Sequence, residues 1–200
     1  MCLIVKQRNP VVWINGCVKL LVEGENLKEE LLFPILEVNP LVGVLIDPPQ
    51  FPAYKQGVYV CGDMSEGSQH AVLIVVWGVE DDGTPYWIIR NSQDLQNRFA
   101  ERFDWRGRDV LQDKDQGRCN MCWAIAITHC VEAYHNSRNP QAMEEGSQQE
   151  LVNEFLRTES KMTSVTDLVR VFKWILKNGL CKEKDSPWRG KYRVIKTIQE

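Results

Sequence analysis

The spacing of apolar residues along this 200-residue chain changes near its middle. In the first half they alternate or stand in short blocks. "LVGVLI" at 41–46, "GVYV" at 57–60, "HAVLIVVWGV" and "YWIIRN" therefore read as strands. The last two flank "EDDGTP", in which Asp82-Gly83 signals a hairpin. One helix is expected here, opened by the capping pair Asn26 and Glu29 and running toward Pro34. In the second half the spacing becomes helical. From Cys122 onward, Trp123, Ile127, Cys130, Val131 and Tyr134 recur on one side of a helix. Ser147 with Glu150, and Ser164 with Asp167, open two further helices as capping boxes. The last helix carries Leu168, Phe172 and Leu176 on one stripe and stops at Gly179.

The expected class is therefore α+β, β-rich first and helical second. The polar stretch "SQDLQNRFAERF", Ser92 to Phe103, separates the two. The expected organisation is a β-rich lobe over 1–91, a linker over 92–103 and a helical lobe over 104–200.

A hydrophobic content of 44% suffices for a core, and a net charge of -3 offers no general attraction to nucleic acid. The locally basic stretch Lys182 to Lys196, with Trp188 and Tyr192, reads as a solvated surface. No membrane span is expected. The best apolar run, Leu31 to Ile46, is broken by Pro34, Glu37, Asn39 and Pro40 and falls short of the ~20 residues required. The opening "MCLIVKQRNP" is too brief in apolar length for a signal peptide, so the chain as written is expected in the cytosol.

Seven cysteines leave at least one thiol free or paired between chains. Two of them lie close together in "QGRCNMCW". A zinc site would need a second C-x-x-C, and the other cysteines, at 2, 17, 61, 130 and 181, form none. A redox pair would follow a buried strand, but "DWRGRDVLQDKDQG" precedes this one. A nucleophile fits better, because Cys122 opens a helix whose dipole and free N–H groups favour thiolate. Such a thiol needs a base within hydrogen-bond reach. Of the three histidines, His129 and His135 lie seven and thirteen residues along the same helix, hence roughly 10 and 20 Å away. His70 is left. The hairpin returns Asn91 to the same end, where its amide could orient the imidazole. With Gln116 six residues before the cysteine, the set holds nucleophile, base, orienter and oxyanion donor for acyl transfer.

These residues resemble the papain family of cysteine peptidases. "DWR…DQGRCNMCWA" is similar to the family's D-W-R…N-Q-G-S-C-G-S-C-W-A, and "HAVLIVVWGVEDDGTPYWIIRNS" to its H-A-V…G-Y-G…Y-W-I-V-K-N-S. "GSQQELV", "KNGLCKEKDSPWRGKY" and "FPAYKQGVYV" resemble further segments. The resemblance implies two lobes with the site in the cleft between them: Cys122 as nucleophile, His70 as base, Asn91 as its orienter, Gln116 as oxyanion donor. It also places Trp123 beside the nucleophile and matches Cys119 to a disulfide cysteine. A protein or peptide substrate is implied, with protein inhibitors or a second copy as further partners, and no metal or organic cofactor is needed. Family members are usually lysosomal, vacuolar or extracellular.

The order differs. The family runs Cys, His, Asn, whereas here His70 and Asn91 precede Cys122. Circular permutation gives this order, since a linker of twelve extended residues reaches about 40 Å. A junction between tandem copies, or a misassembled gene, gives it too. The family's W-G-x-x-W-G segment after the Asn-Ser pair is replaced by "QDLQN", its G-C-N-G-G segment has no match, and Asn120 and Met121 replace small residues beside the nucleophile. The leading expectation is a cysteine-type endopeptidase acting through a thioester. The alternative is an inactive relative with a binding or storage role, or a fragment.

Overall fold

The computed structural model describes residues 8–18, 32–47, 58–59, 67–90, 116, 120–158 and 168–190. Among them the chain forms β1 (Pro10–Val12), α1 (Phe33–Val38), β2 (Leu41–Asp47), β3 (Ser68–Val79) and β4 (Pro85–Arg90). There follow α2 (Cys122–Arg138), α3 (Gln148–Thr158), α4 (Leu168–Asn178) and β5 (Leu180–Cys181). The class is α+β, with the longer strands first and the longer helices second.

β2, β3 and β4 make one antiparallel sheet with β3 in the middle. Ala71, Val72, Leu73 and Val75 are consecutive or nearly so, and all are buried. A strand covered on both faces reads in this way, as a run rather than an alternation. The hairpin between β3 and β4 closes where Asp82-Gly83 predicts it. Gly83 N–H donates to the Glu80 carbonyl at 2.9 Å, and Thr84 N–H donates to the Asp82 carboxylate at 2.9 Å. Beside this turn Trp77 faces Trp87 across the strands, and Phe33 stacks on Trp77 at 4.2 Å.

The helix expected from Asn26 toward Pro34 falls almost wholly outside the described residues, and α1 is a further helix with Pro34 in its first turn, where a missing N–H costs nothing. Asn26 and Glu29 lie outside the described residues, as do Ser164 and Asp167. "GVYV" is described only at Val58 and Tyr59, and neither is in a strand.

α2 is buried continuously from Cys122 to Ala133. It touches β3 and β2 on one side and α3, α4 and β1 on others. One core cluster joins its first half to Val12, Leu151, Phe155, Val171, Ile175 and Leu180. A second joins Cys130 and Ala133 to Leu36, Leu73 and Val75. On α4 the fully buried residues are Val171 and Ile175, while Leu168, Phe172 and Leu176 flank them. The stripe is thus wider than the i, i+4 row, as a core-facing helix requires.

The start of the chain is fastened to the helical half. β1 pairs antiparallel with β5. The Arg8 side chain donates to Glu150 at 2.6 Å and to the Asn178 and Gly179 carbonyls at 3.1 and 3.0 Å, while lying over the Trp174 ring. Ser147 caps α3, its Oγ accepting Glu150 N–H at 3.0 Å. The reciprocal half of the capping box is absent, because Glu150 turns instead to Arg8 and to Cys181 N–H. Two long-range partners, one of them charged, win over one local backbone donor. No helix among the described residues is long and apolar enough to cross a membrane.

Gly179 combines two demands. Its φ is +62°, and a Cβ there would lie 2.9 Å from Pro10 Cβ and 2.9 Å from Trp13 Cε2. Gly83 has φ +89° but open space around it. Gly179→Ala is expected to cost about 2–3 kcal/mol and Gly83→Ala about 1 kcal/mol. Chemical denaturation checks this, and equal losses would mean that β1 does not press on the α4 terminus.

Candidate active site

Two elements build the site. β3 brings His70, and α2 begins at Cys122. Both residues are buried, at 4% and 6% relative exposure. α2 has no side-chain cap at Met121. The N–H groups of Ala124 and Ile125 both donate to the Met121 carbonyl, at 3.0 and 3.3 Å. The earlier N–H groups of the helix have no carbonyl within the helix to meet.

The sulfur uses this. The Cys122 thiol is hydrogen-bonded to the His70 side chain and to the backbone of Ala71 and Trp123. Burial opposes the thiolate and is the largest single influence on its pKa. The bonds from His70, Ala71 and Trp123, with the charge of His70, together outweigh it, and the pKa falls below that of an ordinary thiol. Cys130 is the contrast within the same helix. It is fully enclosed, its Sγ donates to the Pro40 carbonyl at 3.4 Å, and burial alone pushes its pKa up to about 12.

The other histidines are engaged elsewhere. His129 is buried, with Nε2 at 3.2 Å from Gln148 Nε2. His135 Nδ1 accepts Trp13 N–H at 3.3 Å. Gln116 is buried. Asn91 lies outside the described residues, and so does Cys119. β4 ends at Arg90, paired with Leu73 three residues along β3 from His70, so the hairpin does run back toward the histidine. Trp123 is buried with its ring edge-on to Phe155 at 6.0 Å, and Met121 belongs to the same core cluster. Ala71 N–H had no signal in the sequence, since every residue but proline carries that donor and only the fold selects which one meets the sulfur. Among the described residues no group of three or more His, Cys, Asp or Glu could hold a metal ion.

The acidified thiol has a measurable signature. Alkylation of Cys122 by iodoacetamide is expected to run near pH 6 well above the rate of free cysteine, and to fall in His70→Ala, while Cys130 stays unlabelled. Peptide mapping after timed quenching reads all three. Equal rates for Cys122 and free cysteine, unchanged in His70→Ala, would mean that the contact does not activate the sulfur. The linked effect on stability has a definite sign. A folded thiol more acidic than the unfolded one contributes fully above the ordinary thiol range, and that contribution disappears as pH falls through the folded value.

Comparison with known proteins adds ancestry to this geometry. The matching family is described as "Papain family cysteine protease", and it covers residues 2–95 and 99–199. The break between the two matched stretches lies inside the polar segment 92–103. A viral cathepsin of Cydia pomonella granulosis virus is 39% identical over 79 residues, 40% of this chain and 22% of that protein. Cysteine proteinase 3 of Solanum lycopersicum is 38% identical over 96 residues, 46% of this chain and 24% of that protein. Pro-cathepsin H of Medicago truncatula is 36% identical over 87 residues, 42% and 24% of the two chains. The matched part of the chain thus spans 22–24% of the length of these relatives. No solved structure matches.

Proposed function

The chain belongs to the papain family of cysteine proteases, and we propose that it hydrolyses peptide bonds with Cys122 as nucleophile and His70 as base. The observation that carries this reading is the hydrogen bond between a buried, acidified thiol at a helix start and an imidazole from a neighbouring strand. In the proposed sequence His70 takes the Cys122 thiol proton and the sulfur attacks the scissile carbonyl carbon. The electron pair of the C=O moves to oxygen, and the resulting oxyanion is held by the Gln116 amide and the Cys122 N–H. His70 gives its proton to the leaving amine as the C–N bond breaks, which leaves a thioester. It then takes a proton from water, whose oxygen attacks the thioester carbonyl; the C–S bond breaks, the acid leaves, and His70 returns the proton to the sulfur. Asn91 orients the imidazole in this reading. Its place directly after Arg90 at the end of β4 supports the role.

The proposed organisation is a β-rich lobe over 1–91, a linker over 92–103 and a helical lobe over 104–200, in permuted order relative to the family. The pairing of β1 with β5 supports permutation, because it joins an early strand to the strand that follows α4. The substrate class is protein or peptide. The family names of the relatives, cathepsins and cysteine proteinases, point the same way.

The test is turnover of fluorogenic dipeptide amides by the purified chain, alongside Cys122→Ala. Cleavage is expected, lost by at least about a thousandfold in Cys122→Ala. Gln116→Ala is expected to lower kcat about a hundredfold. A cooperative thermal melt with no turnover of any such substrate would overturn the peptidase reading in favour of a binding or storage role.

A further inference from the structure

The sequence contains two Asn-Gly pairs, Asn15-Gly16 and Asn178-Gly179. This dipeptide can modify itself. The glycine nitrogen, once deprotonated, attacks Cγ of the asparagine. The N–Cγ bond forms, the Cγ–Nδ2 bond breaks, and ammonia leaves with the proton. One water then opens the resulting succinimide at either carbonyl, giving aspartate or isoaspartate. No oxidant or reductant enters. The reaction needs a glycine N–H free of hydrogen bonds, an asparagine side chain free to turn, and no Cβ on the following residue.

The fold treats the two pairs differently. At the end of α4, Gly179 N–H donates to the Ile175 carbonyl at 2.7 Å, and Asn178 Nδ2 donates to the Trp174 carbonyl at 2.8 Å. Pro10 and Trp13 also occupy the space beside Gly179, 2.9 Å from where a Cβ would stand. Both reacting groups are held. The other pair lies three and four residues past the end of β1, directly after buried Ile14. Asn15 and Gly16 are both exposed, and nothing comes within 4 Å of a Cβ built on Gly16. Among the described residues no hydrogen bond engages the Asn15 side chain or the Gly16 N–H.

We infer that Asn15-Gly16 is a self-modification site of the folded protein, converting to aspartate and isoaspartate, and that Asn178-Gly179 is its protected counterpart. The inference does not depend on the peptidase reading. Conversion adds a negative charge, and in the isoaspartate form an extra backbone carbon, between the strand that fastens the chain's start and the exposed Cys17.

Trypsin separates the two sites, since cleavage after Arg8 and Lys19 releases residues 9–19 and cleavage after Lys177 and Lys182 releases 178–182. Asn9 in the first peptide precedes Pro10, which has no N–H to react. The full chain is held folded at neutral pH and 37 °C, and both peptides are followed by mass spectrometry against synthetic isoaspartate standards. Peptide 9–19 is expected to convert at least about tenfold faster than 178–182, because the latter must first open locally. In denaturant the two rates should converge. Gly16→Ala, at a position with open space and no positive φ, is expected to fold normally and to abolish most of the conversion. Persistence of the Asn15 amide, or equal rates at the two sites in the folded chain, overturns the inference.

Discussion

A helix buried almost all round must be placed before anything around it can be, and α2 is such a helix. From Cys122 to Ala133 its residues are enclosed by β3 and β2, by α3 and α4, and by β1. Most helices of a domain hide one stripe and leave the rest in water. A helix without a wet face has no freedom to slide or turn without opening several interfaces together. The first turn inherits that rigidity, and Cys122 is in it. Its sulfur therefore meets a fixed set of donors: the imidazole of His70, the backbone of Ala71 and the backbone of Trp123.

The same burial would by itself disable the site. Enclosure raises a thiol's pKa, as Cys130 demonstrates two turns along the same helix. Cys122 differs in its donors, not in its dryness. Hydrogen bonds and a positive partner in a low-dielectric place act strongly on whichever charge they face, so a buried thiol with three donors and a buried thiol with none diverge. One helix thus holds an acidified sulfur and an inert one.

A second constraint links the chain's start to its helical half. Arg8, β1 and Trp13 bear on Glu150, β5, Gly179 and His135. Contacts this distant in sequence close long loops, and the entropy they cost grows only slowly with loop length. That favours an order of segments in which early and late residues lie side by side. It also explains why Glu150 leaves its capping box half made, since a guanidinium and the Cys181 N–H compete for its oxygens.

Much of this was legible in the residues themselves. Spacing located β2, β3, β4 and α2, because periods of two and of 3.6 are set by backbone geometry alone. Asp82-Gly83 and Gly179 marked ends, because few residues accept positive φ. The motifs around Cys122 and His70 carried the family. β1 and β5 were not legible, being too short for any alternation, and neither was α1, a helix of six residues that holds Pro34 in its first turn. Tertiary structure alone decided that Ala71 N–H faces the sulfur, that Glu150 serves Arg8, and that one Asn-Gly pair is clamped while the other is open. Those outcomes are distances between groups every chain possesses, and a distance exists only once the chain has folded.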